Sequence, residues 1–203
     1  MPSVQASLFL ETPAPSAFRP AGLRYGADVL GARDERAAVG AIAALEFRPF
    51  AFRGFTGRRR TISFGWRYDF DGGGFQPAAP MPAFFQNLRA LAAEFAGIDA
   101  DTLEQCSIIE YAPGAGIGWH RDRPQFGTVV GFSLLAPCKF RLRRAQEGGK
   151  WERASLDLAP RSAYVLDGQA RSLWQHSIPP LQSLRYSITF RTLSALGESL
   201  TNR

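Results

Sequence analysis

The hydrophobic period of this chain changes about halfway along. From Gln105 onward, short apolar runs of strand length alternate with turn residues. The runs are Cys106–Tyr111, Ile117–His120, Thr128–Leu134, Lys139–Arg144, Ala154–Leu158, Ser162–Leu166, Leu173–His176 and Arg185–Leu193. Between them lie Pro113-Gly114, Arg123-Pro124, Ala136-Pro137, Glu147-Gly148-Gly149, Asp167-Gly168 and Pro179-Pro180. Glycine and proline supply the backbone angles of tight turns. About eight short strands punctuated in this way predict an antiparallel sandwich or jelly roll. Upstream the period is helical. Pro82 to Gly97 places Phe84, Phe85, Leu88, Leu91, Ala92 and Phe95 on one face, with Pro82 in the first turn and Gly97 as the stop. Gly31 to Leu45 is a weaker amphipathic helix with Asp34 and Glu35 in its first turn. Helices first and strands after predict an α+β fold, with the helices packed on one face of the sheet.

The stretch between these helices follows neither period. Phe47, Phe50, Phe52 and Phe55 interleave with Arg48, Arg53 and then Arg58-Arg59-Arg60. Thr61 to Tyr68 reads as one strand, and the glycines at 72–74 end it in a loop. The phenylalanines read as core. Arg58, Arg59, Arg60, Trp66 and Tyr68 suit contact with a nucleic acid, because guanidinium groups neutralise phosphates and rings stack on bases. The plainer alternative is that the arginines are a solvated face. Residues 1–22, rich in Pro, Ala and Ser, read as an N-terminal arm, and residues 23–203 as one domain.

Composition adds bounds. With 203 residues, 45% of them hydrophobic, the chain is long enough for one full core. It has no apolar run of membrane length. Met1 to Pro15 lacks a basic region followed by an apolar core, so a secretory signal is not expected. Cys106 and Cys138 sit in strand-like contexts and read as buried thiols, which fits a reducing cytoplasm. Lys and Arg number 24 against 18 acidic residues, a net charge of +6. That excess suits a nucleic-acid partner, but an arginine-rich chain of another function would show it too.

The chemistry-bearing residues are few. The chain has 2 histidines, His120 and His176. His120 and Asp122 share one side of an extended segment, because side chains two apart in a strand point the same way. An imidazole from a later strand, His176, completes a two-His-one-carboxylate facial triad with open coordination positions, an arrangement that suits Fe(II). Mn, Co or Ni would also bind such a mixed set. Arg185 and Arg191 share one face of the last strand with Ser187 and Thr189, while Tyr186, Ile188 and Phe190 point the other way into a core. Two inward guanidiniums need anions, and a small dicarboxylate supplies one carboxylate to each. The alternative is a pair of exposed arginines on an edge strand.

With these residues in place, the sequence resembles the AlkB family of Fe(II)/2-oxoglutarate-dependent dioxygenases from about Gly22 to Leu193. The resemblance rests on Tyr111-Ala112-Pro113-Gly114-Ala115, the His120-x-Asp122 pair, His176-Ser177-Ile178-Pro179-Pro180 and Arg185-Tyr186-Ser187-Ile188-Thr189-Phe190-Arg191. Phe64-Gly65-Trp66-Arg67-Tyr68 and Met81-Pro82 resemble the family's nucleotide-recognition region. It implies a double-stranded β-helix core over about 105–193 and a nucleotide-recognition lid over about 47–80. His120, Asp122 and His176 would bind Fe(II). Arg185, helped by the Tyr111 hydroxyl, would hold the distal carboxylate of 2-oxoglutarate, and Arg191 would help hold the carboxylate next to the metal. With O2, the implied reaction removes N-alkyl groups from bases in DNA or RNA and releases aldehyde, succinate and CO2. A base in a duplex would be flipped out to reach the iron. The chain has Ile109 where a cosubstrate-binding Asn is common in the family, which throws more of that binding onto Tyr111 and Arg185. Arg123 follows the metal pair where some DNA-repair members carry an acidic base contact, and is a further candidate for the substrate. A monomer with no membrane partner is expected. The competing readings are a protein or small-molecule hydroxylase on the same scaffold, and a binding module that no longer catalyses. The intact ligand set argues against the last.

Overall fold

A computed structural model describes residues 19–52, 55–70 and 72–201. Most of the expected N-terminal arm lies outside the described residues. In chain order the elements are β1 (Leu23–Gly26), α1 (Ala32–Ala43), β2 (Arg48–Phe52), β3 (Phe55–Phe64), β4 (Trp66–Asp69), β5 (Gly74–Pro77) and α2 (Gln86–Ala96). Then follow β6 (Gln105–Tyr111), β7 (Ile117–His120), β8 (Phe126–Leu134), β9 (Cys138–Ala145), β10 (Trp151–Leu158), β11 (Ser162–Leu166), α3 (Gly168–Ser172), β12 (Gln175–Ile178), β13 (Arg185–Leu193) and α4 (Ala195–Thr201).

The strands form a 7-stranded sheet in the order β1-β11-β8-β13-β6-β3-β2, a 4-stranded sheet in the order β10-β9-β12-β7, and the separate hairpin β4-β5. The pairing between neighbours is antiparallel throughout. Four strands of the large sheet, β11, β8, β13 and β6, face the small sheet and make the jelly roll. β1, β3 and β2 widen the large sheet beyond it.

Two cores result from strict alternation along the central strands. Cys106, Ile108, Val130, Phe132, Tyr186, Ile188 and Phe190 leave one face of the large sheet and meet Ile42, Phe85, Leu88 and Ala92 from α1, α2 and the turn before α2. Tyr111, Val129, Tyr164 and Leu166 leave the other face and meet Phe140, Leu142, Leu158 and Ile178 of the small sheet. The helices therefore cover one face of the large sheet, and the second face is free to line a site. A Cβ on Gly131 of β8 would sit 2.4 Å from the Tyr164 ring, so glycine there makes the room that this ring occupies.

Several boundaries differ from the sequence pattern for identifiable reasons. Thr61 to Tyr68 is two strands, broken at Gly65. That residue has φ +73°, and a Cβ on it would stand 2.0 Å from the Glu104 carbonyl oxygen. Gly65 also exchanges backbone hydrogen bonds with Ala78 and Ala79, which returns the chain to the β5 end of the hairpin. The run beginning at Leu173 becomes a strand only at Gln175, because Gly168 to Ser172 closes into α3; His176 is the second residue of β12 and does not end it. The scaffold helix opens with a 3-10 turn at Ala83–Phe85, which buries Phe85 and leaves Phe84 exposed. Its stop is as expected, with Gly97 in the left-handed region at φ +68°.

Gly65→Ala is expected to destabilise the fold by about 2–3 kcal/mol, from left-handed backbone strain plus the approach to Glu104. The urea midpoint checks this, and an unchanged midpoint would mean that the turn relaxes freely.

Candidate metal and cosubstrate site

The two histidines meet through strand register. β12 pairs with β7 so that His176 stands opposite His120, and a register shift follows before Ile178 meets Ile117. The two ring centroids are 4.2 Å apart. Asp122 lies two residues beyond the end of β7, and one ligand atom from each of His120, Asp122 and His176 lies within 4.8 Å of the other two. The His120 Nδ1 is 2.9 Å from the Gly118 carbonyl oxygen. A proton on Nδ1 satisfies that oxygen and leaves Nε2 as a lone-pair donor.

Electrostatics prepare this set for a cation. Burial, with His120 alongside, pushes His176 down to about 3, so its ring is neutral at neutral pH. Burial also lowers His120. For Asp122 burial works against ionisation, but Arg191, His176 and His120 outweigh it and hold the carboxyl well below the usual carboxylate range. Two neutral imidazoles and one carboxylate are the donors a facial triad requires, so the residues fit Fe(II).

β13 carries the anion-binding half. Arg185 is fully buried. Its Nε donates to Ser133 Oγ at 3.0 Å, while Nη1 and Nη2 are buried and meet no hydrogen-bond geometry with any described residue. Its guanidinium carbon is 5.2 Å from the centroid of the Tyr111 ring, and Arg185 pairs with Tyr111 in the β13–β6 register. Burial raises the Tyr111 pKa, against the pull of Arg185 and Arg59, so the phenol keeps its proton. Arg191 donates to Gln105 Oε1 at 2.8 Å and to Asp122 Oδ1 at 3.2 Å. Its Nε is also buried and unpartnered. Leaving a buried charge without a partner costs several kcal/mol, so Arg185 is suited to take an anion. A carboxylate that accepted from both of its Nη atoms would restore the balance. Ile109, on the same β6 face as Tyr111, packs against the inter-sheet core and offers no hydrogen bond from its side chain.

The loop carrying Asp122 is fastened by a residue the sequence pattern did not mark. Arg171 on α3 donates through Nη2 to the carbonyls of Arg123 and Phe126, each at 2.6 Å, and through Nε to that of Gly127 at 2.9 Å. Arg121 reaches back to the Ser172 carbonyl at 3.1 Å. Arg171 sits in a stretch read as a turn between strands, where a lone arginine carries no signal. Ser133 and Gln105 were also missed, because a single polar residue in or beside a strand carries no signal of the arginine it will meet.

The candidate substrate residues separate. Arg59 lies 3.6 Å over the Phe50 ring, with Nε buried and unpartnered, and its charge is felt at Tyr111 and His120. Arg60 instead forks onto Glu110 at 2.7 and 2.8 Å, on the helix-covered side of the sheet, where Tyr186 also meets Glu110. Its strand neighbour in the triplet, not Arg60 itself, approaches the site. Arg58 is exposed and reaches Gly114 in the β6–β7 turn. Trp66 stacks on Phe75 at 5.0 Å, and Phe75 stands edge-on to Phe126 at 5.7 Å. Arg123 lies over Tyr68 at 4.1 Å and over Phe70 at 4.5 Å. Phe70 in turn meets Phe50 at 5.5 Å. The β4–β5 hairpin thus packs on the loop that follows Asp122. Phe50, read from the sequence as core, belongs to this cluster.

A jelly roll with two imidazoles and a carboxylate between its sheets defines the class, a non-haem metal oxygenase. The chain matches the model of the 2OG-Fe(II) oxygenase superfamily over residues 48–191, and it belongs to that family. It is AlkB-like within it. It is 31% identical over 127 residues to the alpha-ketoglutarate-dependent dioxygenase AlkB of Escherichia coli K12, covering 57% of each chain. It is 36% identical over 93 residues to the mitochondrial alpha-ketoglutarate-dependent dioxygenase alkB homolog 7 of Bos taurus, covering 45% of this chain and 41% of that one. The chain spans about half the length of these curated relatives. The solved structure of OsALKBH1 superposes with a TM-score of 0.61 at 18% identity, covering 86% of this chain and 98% of that one. A Pseudomonas putida prolyl-4-hydroxylase gives 0.56 at 17% identity, covering 85% and 93%. Both structural likenesses bear on the fold. Family membership implies Fe(II), 2-oxoglutarate and O2, and the His120, Asp122 and His176 set fits that metal.

Arg171→Ala should leave Asp122 in place but release its loop. Fe(II) affinity, titrated without oxygen, is expected to fall about tenfold, as for other groups that orient metal ligands. Unchanged affinity would show that the loop holds its own shape.

Proposed function

We propose that this dioxygenase oxidatively dealkylates N-alkylated bases in DNA or RNA. The observation that carries the proposal is the interleaving of guanidiniums and aromatic rings beside the metal cluster: Arg59 on Phe50, Arg123 on Tyr68 and Phe70, and Trp66 on Phe75. Such surfaces take a base by stacking and its phosphate by charge. The AlkB-like sequence supports the same substrate class. The segment from about residue 47 to 80 then acts as a lid, with Arg59, Trp66, Tyr68 and Arg123 as its substrate contacts and Arg58 at its outer margin.

The geometry supports a role for each residue. His120 through Nε2, Asp122 and His176 would hold Fe(II). Arg185 would take the distal carboxylate of 2-oxoglutarate on its two free nitrogens, with the protonated Tyr111 as a further donor. Arg191, already on Asp122, orients that ligand and neutralises a second carboxylate beside it. When bound, the metal and cosubstrate with O2 supply a two-electron oxidation, in which 2-oxoglutarate becomes succinate and CO2 and one oxygen atom enters a C–H bond of the N-alkyl group. The buried, mostly apolar walls between the sheets exclude water from that step. The hydroxylated alkyl group then breaks its C–N bond. The electron pair stays on the base nitrogen, the hydroxyl loses its proton, and the carbon leaves as an aldehyde. Cys106 and Cys138, both free and buried, support work in a reducing compartment, which we take to be the cytoplasm.

The test is an aerobic assay with Fe(II), 2-oxoglutarate and a panel of methylated single- and double-stranded oligonucleotides, read by mass spectrometry. Loss of the methyl group with matching succinate is the expected result. Asp122→Ala should reduce succinate formation at least about a hundredfold with the protein still folded. No demethylation of any oligonucleotide, with peptide hydroxylation instead, would overturn the substrate assignment.

In the lid, Arg59→Ala with Trp66→Ala is expected to weaken oligonucleotide binding about tenfold while 2-oxoglutarate turnover without substrate persists. Unchanged affinity for single strands would count against recognition by this lid.

A further inference from the structure

The small sheet has a second face, turned away from the metal. Phe140 and Leu142 of β9 enter the inter-sheet core, so Arg141 and Arg143 project from the opposite face. By the same alternation β10 presents Trp151 and Arg153 there, since Leu156 and Leu158 point inward. Trp119 joins them from β7, one residue before the metal ligand His120.

These side chains form a ladder of guanidiniums and rings. Arg143 lies 4.4 Å from the Trp119 centroid and 4.2 Å from that of Trp151, and Arg141 lies 5.2 Å from Trp119. Each arginine is also tied down by β12. Arg143 Nε donates to Gln175 Oε1 at 2.8 Å, and Arg141 Nε donates to Ser177 Oγ at 3.1 Å. Among the described residues neither faces a carboxylate, and their terminal nitrogens make no bond within the protein. Arg153 is exposed. At the β7 edge a groove of about 320 Å³ lies between Arg58 and Arg141, over Gly116, Gly118 and Pro179. Stacked and anchored guanidiniums have already lost much of their rotamer freedom, so binding an anion costs them less.

We propose that this outer face is a track for the single-stranded nucleic acid leading away from the metal opening. Phosphates meet Arg58, Arg141 and Arg143, and bases stack on the open face of Trp151. The inference rests on the nucleic-acid reading above. A small anion would need donors converging on one point, whereas here the cations are spread across the sheet. From β7 to β10 is three strand spacings, roughly 14 Å, which about four stacked nucleotides span. β7 is the edge strand, with the metal ligand on one face and the ladder on the other, so the track adjoins the opening.

The test is fluorescence anisotropy on the full-length protein with unmodified oligothymidylates of about four and about twelve nucleotides. Arg143→Gln with Trp151→Ala is expected to bind the long strand about tenfold more weakly than the wild type, and to flatten its log–log salt slope by about 0.7. The short strand, which the lid or the track can hold alone, should lose less affinity than the long one, and 2-oxoglutarate turnover without nucleic acid should persist. Arg153→Glu, at an exposed position that tolerates substitution, should weaken the long strand about fivefold and provides the reading if the double variant does not fold. Wild-type affinity for the long strand in a folded variant would overturn the track. If Arg59→Ala with Trp66→Ala still weakened binding in that case, the lid reading would stand alone. A wild-type protein that binds neither strand would overturn both.

Discussion

A guanidinium with no exposed surface and two unpartnered nitrogens is the constraint on which this site depends. Arg185 sits in the middle of the large sheet, fixed through Nε by Ser133 and flanked by the Tyr111 ring. A fold tolerates such a charge when a ligand completes it, because the cost of isolation is returned on binding. On the function proposed above the cosubstrate is a dicarboxylate, and Arg185 would answer its charge. The same strand carries Arg191 to Asp122, so on that reading one rigid element would join cosubstrate binding to metal binding.

The metal cluster has a parallel origin. Its two imidazoles come from strands that are far apart in sequence but directly paired, and its carboxylate comes from the loop just beyond one of them. That loop has no regular structure of its own. Arg171 and Arg121 attach it to α3 and its neighbour residues, and the aromatic hairpin β4–β5 packs on it through Arg123 and Phe126. Any shift of that hairpin would therefore bear on the segment that carries Asp122. The outer face of the same sheet, with its tryptophans and anchored arginines, extends a cationic surface away from the opening.

Much of this was legible in the sequence. The turn punctuation after Gln105 marks the eight jelly-roll strands, since strand length and glycine or proline turns are local properties. The alternation in Arg185 to Arg191 separates the polar face from Tyr186, Ile188 and Phe190, which do enter the helix-side core. The scarcity of histidine left His120 and His176 as the metal candidates, and both reach the cluster with Asp122. The residues between the helices were less legible. Arg58, Arg59 and Arg60 look alike in sequence, yet Glu110 takes Arg60 to one side of β3 while Arg59 stacks on Phe50 on the other. Gly65 looks like one more residue of a strand until the Glu104 carbonyl is placed beside it.

The sequence by itself determined the strands, the scaffold helix, the metal-ligand types and the paired arginines, because each is written in a local period or in a residue type with few uses. Tertiary structure alone decided which arginine is a receptor and which a strut. Arg171, Arg60 and Arg185 carry the same side chain, and their roles differ only through what lies opposite: three carbonyls, a carboxylate, or a serine hydroxyl and a tyrosine ring. Burial and long-range partners set the state of a charge, and neither is a property of the residues adjacent in the chain.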